Sequence, residues 1–353
     1  MSTAERYSSG TGMNEQKALP DWDALSFRLT ETEVVYRAVG ESDQKPVWDD
    51  GEYGPWGSFP ASPAAGVLSY GLGVFEGLKA ERTPDGRILL FRPDANAARF
   101  ARSARIMTME PFPEKRFVEV CLEIVRRNER FIPPVGKGQL YVRPVEFASE
   151  PMLGLRRARS FTVVVYASPV GAYFKGADSG VRLQVLDEAR VAPGGTGHAK
   201  AASNYPAGIA KREAWQAKGF DDVLFLDARG EGFVTETSGS NVFALFPGDR
   251  LVTPPLDDQI LPGITRECVI RLAREEFGWT VEEKPLAIAD VQAEAVEMFC
   301  SGTAWTVRSV GEIEHRGKST SFSQTAGCQR LCQRLREIQT GTGKDPYGWI
   351  TEV

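Results

Sequence analysis

Lys200 stands in the run Gly194-Gly195-Thr196-Gly197-His198-Ala199-Lys200-Ala201-Ala202-Ser203-Asn204-Tyr205, with alanine on either side. Small neighbours let a planar ligand approach closely and let the amine lose water, which lowers a lysine's pKa toward that of a Schiff-base nucleophile. The same run also reads as a surface lysine on a glycine-rich loop. Leu261-Pro262-Gly263-Ile264-Thr265-Arg266 leads into a helical pattern. Free N–H groups at Ile264 and Thr265, with a hydroxyl, suit a phosphate monoester; the bland reading is a helix started by an early proline. Ser301-Gly302-Thr303-Ala304 offers N–H groups and hydroxyls to an anion, or is an ordinary tight turn. Taken singly, Glu236 reads as a solvated cap at a strand end, and Arg99 and Arg143 as surface cations.

Composition narrows the chemistry. The chain has 353 residues and only two histidines, His198 and His315, so a multi-histidine metal centre is excluded. A serine or cysteine nucleophile with a histidine base would have to use one of these two. In an enzyme of this composition, proton transfers are expected to run through lysine, tyrosine or a carboxylate. Five cysteines form no CxxC pair and are too sparse for a disulfide framework. A net charge of −5 supplies no global basic field for nucleic acid. The apolar run from Phe161 to Phe174, at about 14 residues, is too short to span a bilayer. The first twenty residues are polar and lack a signal-peptide core, so they read as a leader without fixed structure on a cytoplasmic protein.

These residues need elements to hold them. Asp94 opens a helix with Ala97, Phe100 and Ala104 on one face, and a second helix spans Phe117 to Phe131. Trp48 to Pro63 reads as irregular, and Ser69 to Glu81 as a turn running into a strand. Strands are expected at 87–91, 139–147, 161–168, 181–186, 223–227, 233–236, 241–246, 296–300 and 305–310. Helices are expected at 205–218, 264–277 and 325–339. Strands mixed with segregated helices make an α+β architecture. The glycine-rich segment 170–181 divides it into a smaller domain, 21–169, and a larger one, 182–353, that carries Lys200.

The motifs taken jointly resemble the branched-chain amino-acid aminotransferases, pyridoxal-phosphate enzymes of the D-amino-acid-aminotransferase-like fold (fold type IV). The matching text is VFEGLKA (74–80), YVRP (141–144), GAYFKG (171–176), K-x-x-x-N-Y (200–205), E-x-x-x-x-N (236–241), TPPL (253–256), LPGITR (261–266), SGTA (301–304) and IQTG…GW (338–349). The resemblance implies that Lys200 carries pyridoxal phosphate and is catalytic. It places Tyr205 beside the cofactor's phenolic oxygen and Glu236 beside its ring nitrogen. Arg99, Ile264, Thr265, Gly302 and Thr303 would hold the phosphate. Tyr70, Phe75, Tyr141, Arg143 and Tyr173 would border the substrate, whose α-carboxylate would meet Thr303 and Ala304. It further implies ping-pong transfer between leucine, isoleucine or valine and 2-oxoglutarate, in a homodimer. Ala202-Ser203 replaces two glycines common in such proteins, Ser240 stands where many have methionine or glutamate, and Trp305 and Arg308 replace a CxxC found in some. These departures leave open another donor, a D-amino acid or an (R)-amine; a further alternative is an aminodeoxychorismate lyase.

Overall fold

The computed structural model describes residues 17–59, 61–171 and 180–353. Alternation along Gln139–Ala148 turns Leu140, Val142, Pro144 and Glu146 to a buried face, and Tyr141, Arg143 and Val145 to the other. This strand sits inside an antiparallel sheet ordered Ile350–Glu352, Ile88–Phe91, Leu78–Arg82, Gln139–Ala148, Ser160–Val170, Val34–Glu41, Glu52–Pro55. The short strand Gly73–Phe75 also pairs with Gln139–Ala148. Helices Pro93–Ile106 and Glu114–Arg127 contribute to one core with the Leu140 face. The second shows Phe117, Val120, Cys121, Ile124 and Val125 in the three- and four-residue spacing of a single stripe. Phe100 meets Phe117 with ring centroids 5.1 Å apart.

The second sheet is ordered Val234–Thr237, Asp222–Leu226, Val181–Leu186, Thr306–His315, Glu297–Gly302, Asn241–Phe246, Arg250–Thr253, Thr280–Glu283. Pairing of Glu236 with Asn241 brings its first strand back to Asn241–Phe246 and closes a ring. Val181–Leu186 and Asp222–Leu226 are parallel, and helix Tyr205–Gln216 lies in the crossover that parallel neighbours require. Helices Ile264–Glu275 and Ala326–Gln339 bury Cys268, Leu272, Leu331 and Leu335 in a core with the stacked rings of Phe243 and Phe299.

Most differences from the expected elements concern short or edge strands. Glu52–Pro55 lies inside the segment expected to be irregular, paired with Val34–Glu41 through Val34↔Pro55 and Tyr36↔Tyr53. Ile350–Glu352 is three residues long and is held by Ile88–Phe91. Neither carries enough alternation to be recognised locally. The second half also does not keep to itself. Ala199 and Ala201 belong to the first core, Ala201 bridges Val74, and the last strand completes the first sheet. Most of the dividing segment 170–181, and residues 1–16 of the leader, lie outside the described residues.

Glu146 has no exposed surface, and neither carboxyl oxygen hydrogen-bonds a described residue. Burial pushes its pKa well above the ordinary 4.5. The folded protein thus keeps a proton that the unfolded chain releases, so this group's contribution to stability falls as pH rises. Glu146→Gln is expected to melt progressively higher than the parent as pH is raised from about 5 to 8, with the gap closing below about 4.5. Melting curves for the two proteins that stay parallel with pH would show that Glu146 is not held neutral.

Candidate active site

The loop that carries Lys200 is tied down by its neighbours. The Asn204 amide donates to the carbonyls of Thr196 and Ala199 at 2.7 and 3.0 Å, and its oxygen accepts from the Thr196 hydroxyl at 2.8 Å. The Lys200 N–H donates to Ser103 Oγ at 3.0 Å, and its carbonyl accepts the Phe75 N–H at 3.1 Å. With the main chain held on both sides, the side chain enters a cavity of about 750 Å³. There its Nζ donates to Tyr205 Oη at 3.0 Å and lies 4.6 Å from the Phe75 ring centre.

Glu236 closes the cavity near the end of Val234–Thr237 and is almost wholly buried. Burial raises its pKa, and the Arg190 guanidinium and the Leu261 N–H oppose that rise. Arg190 Nη2 stands 2.5 Å from Glu236 Oε1, and the Leu261 N–H reaches the same oxygen at 3.4 Å. A buried carboxylate in this setting is held for a cationic or proton-bearing partner.

Helix Ile264–Glu275 begins at Gly263 with no side-chain cap, so the N–H groups of Ile264 and Thr265 at the cavity wall suit an anion. Arg99 lies beside them but is not simply a phosphate cation. It forms a forked pair with the fully buried Glu76, Nε–Oε1 2.6 Å and Nη2–Oε2 2.8 Å, and donates to the Pro262 carbonyl at 3.2 Å. Three of its five N–H groups are thereby used. Glu76 raises its pKa against the pull of burial.

Phe75, Tyr141, Arg143, Gly302, Thr303 and Ala304 all line the cavity. The Arg143 guanidinium lies 4.9 Å from the Phe75 ring centre and 5.2 Å from that of Tyr141. Tyr70 is not brought to the cavity of this chain. It ends the short helix Gly66–Tyr70, its hydroxyl donates to the Leu153 carbonyl, and it is not among the lining residues. The helix turns its ring toward 153 instead of inward. Tyr173 lies outside the described residues.

Several lining or supporting residues were missed. Phe27 meets Tyr141 edge-on at 5.2 Å from a segment with no regular structure, where the sequence gives no periodicity to follow. Arg190 likewise has no local signal, since only the closed second sheet brings it to Glu236. Glu76 did carry one: a carboxylate inside the apolar VFEGLKA run demands a buried partner.

The donor set fits pyridoxal phosphate. Ser301 Oγ is buried at the cavity wall with no hydrogen-bond partner among the described residues. Gly77 keeps the floor open, because a Cβ there would fall 1.8 Å from Tyr141 Oη. An amine beside a phenol, a buried carboxylate across the cavity and an uncapped helix start match the cofactor's aldehyde, ring nitrogen and phosphate.

Comparison with known proteins agrees with this geometry. The Amino-transferase class IV family profile matches residues 73–313. A mitochondrial branched-chain amino acid aminotransferase of Humulus lupulus is 40% identical over 345 residues, 96% of this chain and 86% of that protein. A methionine aminotransferase of Arabidopsis thaliana is 39% identical over 345 residues, 96% of this chain and 95% of the relative. Among solved structures, the branched-chain aminotransferase of Thermoproteus uzoniensis with norvaline superposes with a TM-score of 0.77 at 30% identity, covering 91% of this chain and 99% of that one. The lysine loop, the carboxylate across from it and the open helix start are therefore those of a chain that belongs to the class IV aminotransferases.

Proposed function

We propose that this enzyme exchanges amino groups between branched-chain L-amino acids and 2-oxoglutarate, with pyridoxal phosphate as cofactor. One observation carries the reading: a single cavity joins the Lys200–Tyr205 pair and buried Glu236 to an aromatic wall on which the Arg143 guanidinium lies between Phe75 and Tyr141. When bound, pyridoxal phosphate supplies an electron sink for the electrons left at the substrate Cα. Lys200 Nζ takes the Cα proton and later returns one. Tyr205 Oη orients that amine, and Glu236 holds the proton at the ring nitrogen. Ile264, Thr265, Arg99, Gly302 and Thr303 bind the phosphate. N–H groups of the Thr303–Ala304 turn bind the α-carboxylate. Phe75, Tyr141 and Phe27 exclude water around an aliphatic side chain, and Arg143 takes the γ-carboxylate of glutamate.

A homodimer belongs to the same proposal. Leu68 lines the cavity and is 65% exposed, while Leu153 and Leu155 are 93% and 88% exposed. Exposed leucines, one of them at the cavity wall, support a second copy as their cover. A cytoplasmic setting is part of the same proposal, and the five free thiols suit any reducing compartment.

The test is a donor panel on the purified holoenzyme: both enantiomers of leucine, isoleucine, valine and methionine, plus an (R)-amine, each against 2-oxoglutarate. The L-branched donors should be used best. A D-amino acid or the amine as best donor overturns the substrate assignment. Arg143→Met, run through each half-reaction in single turnover, should weaken glutamate and 2-oxoglutarate by about 2–5 kcal/mol and leucine much less. Equal losses would assign Arg143 to the scaffold.

A further inference from the structure

Lys79 sits on Leu78–Arg82 of the first sheet, yet its Nζ donates to the carbonyl of Ala304, in the turn between Glu297–Gly302 and Thr306–His315 of the second, at 2.8 Å. The lysine does not line the large cavity. It borders a separate one of about 20 Å³, shared with Asn96, Thr265 and Thr303. It therefore stands behind both the open helix start and the SGTA turn.

The surroundings of this ammonium are unusual. Glu81, two residues on, is already taken by Arg336 of the last helix, with Nη2–Oε2 at 2.8 Å and a second bond from Nη1. The Gln139 amide donates to Glu81 as well, at 2.8 Å. Among the described residues Lys79 makes no ion pair, and the Ala304 carbonyl is its hydrogen-bond acceptor. A cation removed from water without its own carboxylate is costly unless an anion comes close. The Thr303–Ala304 turn is where an anion is expected.

We propose that Lys79 is a positioning residue that sets the affinity of the site for the α-carboxylate shared by all its amino- and oxo-acid substrates, acting through the Ala304 carbonyl. This rests on the reading of the Thr303–Ala304 turn given under the proposed function. The charge-assisted bond anchors the Ala304 carbonyl, and with it the end of the turn whose N–H groups are to meet the carboxylate. The ammonium adds positive potential behind them. Because every substrate carries the same α-carboxylate, the effect is uniform across donors, unlike that of Arg143. Desolvation, opposed by Glu81 and reinforced by Arg336, lowers the Lys79 pKa to about 8. The protonated form braces the turn, so the brace weakens as pH rises through that value.

The experiment compares parent, Lys79→Met and Lys79→Arg holoenzymes. Calorimetry with 4-methylvalerate, the leucine skeleton without its amino group, reads carboxylate binding in the absence of turnover. In Lys79→Met, its Kd and the KM of leucine, glutamate and 2-oxoglutarate should all rise about 10- to 100-fold, with kcat within about threefold of the parent. Retention of the cofactor on dialysis and its visible absorbance should be unchanged. Lys79→Arg should recover most of the affinity. The parent should bind 4-methylvalerate more weakly above pH 8, a loss that Lys79→Arg does not share, since arginine stays charged.

Parental affinity in Lys79→Met overturns the inference. So does a variant that loses cofactor, melting temperature and kcat together without rescue by arginine, because that is a structural role. If the parent neither binds 4-methylvalerate nor uses a branched-chain donor, the functional reading itself has failed. A parent that does both, with an unaltered methionine variant, sinks the role of Lys79 alone.

Discussion

Lys200→Ala abolishes multiple turnover, by at least about 10⁴-fold, in a protein that still folds and still takes up the cofactor. The expectation follows from where each contact resides. The backbone of residue 200 is held through its N–H and carbonyl, by Ser103 and Phe75, and neither bond needs the side chain. Phosphate contacts come from the Ile264–Glu275 start and the Ser301–Ala304 turn, which the substitution does not touch. What is lost is the amine that moves the Cα proton, and Tyr205 Oη, its 3.0 Å neighbour, is placed to orient that amine and not to replace it. Rapid-quench assays with leucine, with and without added methylamine, check this. Sustained turnover by the alanine variant without the amine removes Lys200 from the mechanism.

Glu236→Gln lowers the saturating rate by about 10²- to 10³-fold while the cofactor stays bound. A neutral amide does not favour a proton at the ring nitrogen, so the electron sink is shallower. The structure adds a second consequence. The Arg190 guanidinium, 2.5 Å from Glu236 Oε1, would keep the Gly197 and Gln259 carbonyls but lose its buried carboxylate, which costs up to about 3–5 kcal/mol. Stability and rate must therefore be read together. Adding Arg190→Met should return much of the lost melting temperature and none of the lost rate. A Gln variant nearly as fast as the parent refutes the role given to Glu236.

Readable signals in the sequence were those with local periodicity. Glu114–Arg127 shows its stripe in one helical length, and Gln139–Ala148 shows its alternation. The site's short motifs were legible for a similar reason: Lys200 to Tyr205, Ile264 to Thr265 and Ser301 to Ala304 are each one turn or helix end. What was not legible depends on long-range pairing. Arg190 meets Glu236 across 46 positions, Lys79 meets Ala304 across 225, and Phe27 reaches Tyr141 from a segment without regular structure. Tyr70 failed for the opposite reason. Its place in the local text suggests the pocket, but a one-turn helix directs its hydroxyl to Leu153.

The clamp between the lysine loop and the first sheet bears on how such proteins can be recombined. Gly71, at φ 65°, leaves so little room that a Cβ on it would lie 3.1 Å from the Cβ of Ser203. Beside that approach, Ala201 bridges Val74 and Phe75 bonds the Lys200 carbonyl. A chimera spliced near residue 175 from two homologous genes would thus take the two sides of this seam from different parents. A side chain at 71 would press on Ser203 and displace the lysine's own backbone, even with every cofactor contact preserved. Crossovers that keep 66–82 and 196–205 from one parent avoid that mismatch, so the inherited unit is the seam rather than either half of the chain.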